Sequence, residues 1–82
     1  MTEVFVVVYT SASGNAVSVY DSEQGAIARI HDLLRYECET WGEVPEYDYT
    51  ARNAHWALWD AMESRGLSDG IEWAIYPKVV RG

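Results

Sequence analysis

His31, Cys38 and His55 are the residues of this 82-residue chain whose chemistry suits a transition metal. A metal site needs several such ligands converging on one point. His31 and Cys38 are seven positions apart, which on a helix puts them on one face but roughly 10 Å apart along the axis. One ion cannot bridge that gap without His55 or a carboxylate, and no spacing in the chain brings such a set together. We therefore expect no metal and no other cofactor. His55 has the side chain suited to acid–base work near neutral pH, yet next to Trp56 and close to Trp59 it reads first as a packed helix residue. Cys38 would need a lowered pKa to act as a nucleophile. Its neighbours Glu37 and Glu39 and its place near a helix C-terminus all disfavour a thiolate, so it reads as core. Ser11 and Ser13 lie beside Gly14 with no G-x-S-x-G motif around them. The same turn lacks the second glycine and the Lys-Ser/Thr pair of a phosphate-binding loop. Carboxylate pairs are plentiful, but a glycosidase dyad works in a cleft that so small a fold seldom supplies. The chain reads as a non-enzyme.

Binding chemistry is better represented. Between Tyr36 and Ala51 the acidic residues are Glu37, Glu39, Glu43, Glu46 and Asp48, with no Lys or Arg among them. Tyr36, Trp41, Tyr47 and Tyr49 are interleaved with them. Carboxylates attract a basic partner, while Tyr and Trp supply contact area at low entropic cost. The expected partner-binding set is Glu37, Glu39, Glu43, Glu46 and Asp48 for charge, with Trp41, Tyr47 and Tyr49 for contact. The competing reading is that the acids only solvate a loop while Trp41 and one tyrosine tuck into the core.

The whole-chain charge of -7 points the same way. It opposes direct binding to nucleic acid or to anionic membranes, both of which call for Lys and Arg. It favours a protein with a basic surface, such as a nucleic-acid-handling complex. No run approaches eighteen apolar residues, Glu3 stands where a signal peptide would be basic, and a lone cysteine excludes an internal disulfide. A reducing, cytoplasmic setting is the expectation.

The elements that must carry these residues follow from hydrophobic spacing. At 82 residues and 49% hydrophobic content, one folded domain over 1–82 is expected. Val4 to Tyr9 reads V-F-V-V-V-Y, a strand buried mid-sheet. Strands are expected at about 3–9, 16–20 and 71–76, and helices at about 22–39 and 51–65. Asp21 with Gln24 forms a capping-box pattern for the first helix, and Thr50 or Asp48 can cap the second, which Gly66 closes. Gly25 weakens the first turns or permits a close approach. Pro77 should end the third strand and leave Lys78 to Gly82 as a short basic tail. The expected fold is α+β, order β-β-α-α-β, with the third strand beside the first and both helices on one face of a three-stranded sheet.

The other face of that sheet depends on registration. If Val4, Val6 and Val8 point to the helices, then Phe5, Val7, Tyr9, Tyr20 and Tyr76 gather on the open side. So apolar a strand allows the reverse equally. Either way an uncovered apolar face marks an interface, and a homo-oligomer through it is the rival to the acidic binding surface. Tyr9 and Tyr76 are the residues expected to hold it.

The layout V-F-V-V-V-Y, a polar turn, then V-S-V-Y-D-S-E-Q-G-A and an amphipathic helix resembles small bacterial and phage proteins in which a hairpin runs into a helix. That similarity covers about the first forty residues. Small size, acidity and aromatic content also resemble phage inhibitors of host defence, including anti-CRISPR and DNA-mimic proteins. The resemblance implies a non-enzymatic inhibitor seated on a basic nucleic-acid-binding groove. It assigns no individual residue.

Overall fold

A computed structural model describes residues 2–12 and 14–81. Three strands, β1 (Thr2–Ser11), β2 (Gly14–Tyr20) and β3 (Glu72–Val80), and two helices, α1 (Glu23–Trp41) and α2 (Ala54–Ser64), follow in the order β-β-α-α-β. The fold is α+β. The residues form two compact units, one of the chain up to Ile30 together with Gly70 onward, the other His31–Asp69. The division falls inside α1.

In the first unit all three strands are antiparallel in the order β2-β1-β3. The apolar run Val4–Tyr9 is therefore the central strand, paired on both sides, as its composition demands. Val7 is paired with Ser18 and Ile75, and Tyr9 with Ala16 and Trp73. Directly opposed residues share a face, so the registration is settled. Val7 and Tyr9 are buried, with Ala26, Ile30 and Ile71 the other buried apolar residues of this unit. Tyr76 pairs with Val6 and so lies on the face opposite Tyr9. Phe5, Val7, Tyr9 and Tyr20 do share a face, but Tyr76 does not join them.

β3 runs through Pro77, which pairs with Phe5, and on to Val80, so residues expected as a loose tail extend the sheet. An edge strand turns alternate N–H groups away from its neighbour, and a proline there costs no ladder bond. The turn before β2 includes Ser13, which lies outside the described residues.

Ser22, not Asp21, caps α1. Its Oγ accepts the Gly25 backbone N–H at 3.1 Å, and its carbonyl accepts that of Ala26 at 3.2 Å. Gly25 also allows a close approach: a Cβ there would sit 3.4 Å from Cδ1 of Tyr20 and 3.2 Å from the capping hydroxyl.

In the second unit, buried Leu34 and Cys38 continue the fourfold spacing of Ala26 and Ile30 along α1. α1 ends one residue past Thr40, with Gly42 at φ 77°. The Glu43 N–H reaches the Cys38 carbonyl and the Gly42 N–H that of Glu39, a Schellman closure. α2 repeats the device at Gly66, φ 70°, with Leu67 bonding back to Met62 and Gly66 to Glu63. α2 begins at Ala54 rather than Ala51, and neither Asp48 nor Thr50 caps it. Asp48 Oδ1 instead accepts both the backbone N–H and the hydroxyl of Thr50, at 3.0 and 2.6 Å. This Asx turn spends the capping groups before the helix starts. Leu58, Met62 and His55 are the buried residues of α2, while Trp56 is half exposed.

Candidate functional site

The acidic, aromatic segment lies wholly in the second unit, at the end of α1 and in the connection to α2. Its anchor is Tyr47. With the imidazole proton on Nδ1, facing Asp32 at 3.8 Å, His31 Nε2 accepts the Tyr47 hydroxyl proton at 2.8 Å. Arg35 donates to the same oxygen at 3.1 Å and to Glu39 Oε1 at 3.2 Å. The rings of His31 and Tyr47 lie tilted at 5.7 Å. Tyr47 and Glu39 together hold the Arg35 proton more tightly than usual. A loop residue is thereby tied to one face of α1.

Arg35, Val44, Pro45, Glu46, Tyr47 and Tyr49 line a shallow depression of about 590 Å³. Of these Pro45 is buried, while Glu46 and Tyr49 are exposed. Tyr36, Trp41 and Tyr49 are 68%, 43% and 70% exposed. These aromatics face water, so the reading in which Trp41 tucks into the core does not hold. Tyr47 is the residue of this set that is half covered.

The carboxylates divide. Glu37 is 4% exposed and leaves the expected set. It lies three residues after Leu34 and seven after Ile30, within about 20° of Ile30 around the helix, so the periodicity that buries those residues turns Glu37 inward too. Its contacts are internal ones. Glu39, Glu43, Glu46 and Asp48 remain exposed. Glu39 pairs with Arg35, and Glu43 meets Arg65 at 3.2 Å. Asp48 is held as the anion by Thr50, whose hydroxyl and N–H lower its pKa. The sequence window from Tyr36 to Ala51 holds no basic residue, but folding brings two guanidiniums to its edge. Of the four exposed carboxylates, Glu39 and Glu43 are thus offset by Arg35 and Arg65.

The residues weighed for catalysis take quieter places. Burial pushes the Cys38 thiol up, and Glu37, Glu43 and Glu39 push it further. Burial, with a smaller effect from His31, lowers the His55 pKa, and its ring packs at 5.6 Å against Trp56. Among the described residues no group of three or more His, Cys, Asp or Glu is placed to hold a metal ion, and no helix is long and apolar enough to cross a membrane. No family model, curated protein or solved structure matches the chain.

Proposed function

We propose that this is a non-enzymatic protein that binds a basic partner protein through Tyr36, Trp41 and Tyr49 and the flanking carboxylates of Glu39, Glu43, Glu46 and Asp48. What supports the reading is the exposure of three large aromatic side chains within one segment, residues 36–51, whose exposed charged residues are all acidic. Exposed Tyr and Trp rings are poorly placed for water and well suited to becoming the buried centre of an interface. The carboxylates around them would pair with Lys and Arg of the partner, in positions that phosphates would otherwise occupy. A basic, nucleic-acid-binding groove of a host effector complex is the target class this surface fits, and blocking that groove is the activity.

The pairing of Glu39 and Glu43 with internal arginines shifts the weight from field to contact. Aromatic truncation should then cost more than the loss of one charge. The test is a pull-down from bacterial lysate eluted in rising salt, comparing the wild type with Tyr49→Ala and with Glu43→Lys/Glu46→Lys. A nucleic-acid-handling protein retained by the wild type, released at moderate salt and lost with either variant supports the reading. Equal retention by all three removes it.

A further inference from the structure

The sheet face opposite Val7 and Tyr9 is apolar and open. Register sets its residues in rows across the strands: Val19, Val6 and Tyr76 form one row, and Val17, Val8 and Ala74 the next. Beyond the second row come Asn15, Thr10 and Glu72, and beyond the first come Val4 and Lys78. Val17, Val19 and Tyr76 are 68%, 60% and 51% exposed. Val6 and Val8 are flanked by strands on both sides, and they and Val4 still keep partial exposure. In β2 the ordinary alternation is inverted, with valines outward and Ala16 and Ser18 on the more covered side. A strand whose outer face met only water would carry the reverse pattern.

We propose that a second copy of the chain covers this face, with its strands reversed, in a two-fold dimer. The rows themselves argue for self-association. A two-fold axis lying between the two central rows, across the strands, exchanges one row with the other and keeps β3 over β3. It sets Tyr76 on the small Ala74 of the second copy, Val6 on Val8 and Val19 on Val17. It also sets Glu72 against Lys78 of the second copy, twice by symmetry. Those two charges stand on one face of one strand, roughly 20 Å apart, and neither forms an ion pair among the described residues. A two-fold along the strands would instead place Glu72 against Asn15 and Tyr76 against Val19, leaving the acid without a cation and large against large. Sheets stacked face to face stay within about 30° of alignment, and the long side chains of Glu72 and Lys78 span the remaining offset. Three strands give a small footprint, so the dimer belongs to the weak, reversible class.

Sedimentation equilibrium of the whole chain tests this from about 1 to 300 µM, a range that brackets a weak dimer. The mass should rise toward twice 9.3 kDa, and Val19→Lys should hold it at the monomer value with an unchanged circular dichroism spectrum. Glu72→Lys and Lys78→Glu should each weaken the dimer about tenfold, since each sets like charges face to face. The double exchange Glu72→Lys/Lys78→Glu should restore it. A wild-type chain monomeric throughout overturns the proposal, as does a dimer indifferent to the charge exchange, which would be held by strand edges or another surface.

Discussion

The hydroxyl of Tyr47 lies 2.8 Å from Nε2 of His31, sixteen residues earlier in the chain, and 3.1 Å from the guanidinium of Arg35. One phenol oxygen thus gathers a loop and two successive turns of α1 into one piece. Removing it by Tyr47→Phe keeps the ring and leaves His31 and Arg35 to water. Because the network is only partly buried, the loss should be about 1 kcal/mol in urea unfolding. No change in the midpoint would mean that the loop is held by packing alone.

The glycine closures of both helices make a sharper stability test. A Cβ at Gly42 or Gly66 would meet no other atom within 4 Å, yet both have positive φ, 77° and 70°. Only backbone strain opposes a side chain there. Gly66→Ala should cost roughly 1 kcal/mol, and Gly66→Asn less, because Asn tolerates the left-handed region. Equal cost for the two, read by urea midpoint, would point to something other than φ.

At the start of α1, Ser22→Ala should cost about 1 kcal/mol by removing the acceptor of the Gly25 N–H. Asp21→Ala should cost little. The opposite ranking in thermal unfolding would return the cap to Asp21.

These results bear on what the sequence disclosed. The V-F-V-V-V-Y run implied a central strand, and Gly66 implied a helix end, because each is a local signal with one physical solution. Asp21 and Ser22 are both capping residues, and adjacency hides which oxygen faces the free amides. Pro77 looks like a stop in sequence because its tolerance depends on β3 being an edge strand, which is set by strand order and not by its neighbours. Six consecutive apolar residues cannot say which of two faces is buried, and the register with β2 and β3 decided it. Glu37 is legible as a core position by its spacing from Ile30 and Leu34, although its charge argues for the surface. Arg35 adjoins the acidic window and meets Glu39 one turn on along α1, whereas Arg65 meets Glu43 only through the fold, which no local pattern discloses.

Acid should destabilise the protein through His55. Burial lowers its pKa below the ordinary 6.5 in the folded state, so on acidification the unfolded chain takes up a proton first. Stability contributed by neutral His55 is present above about pH 6.5 and falls as the pH drops toward the folded-state pKa. Urea midpoints followed from about pH 7.5 to 5 should decline, and His55→Gln should flatten the slope. An unchanged slope would assign the decline to another group.

Cys38 is buried with a raised pKa. A thiol reagent at about pH 8 should label it only as fast as the protein opens, and at once in denaturant. Rapid labelling of the native chain would contradict its burial.

Under the proposed function, basic partners recognise the segment that holds Trp41 and Tyr49, and not the general acidity of the chain. The most direct test is an NMR titration of the uniformly labelled protein with an oligoarginine peptide at moderate salt. Shift changes should concentrate in residues 36–49, strongest at Trp41, Glu46 and Tyr49, and Tyr49→Ala should weaken the binding. Shifts spread evenly over Glu3, Glu23, Asp69, Glu72 and the other exposed acids would contradict it, leaving the acidity as a solubilising property.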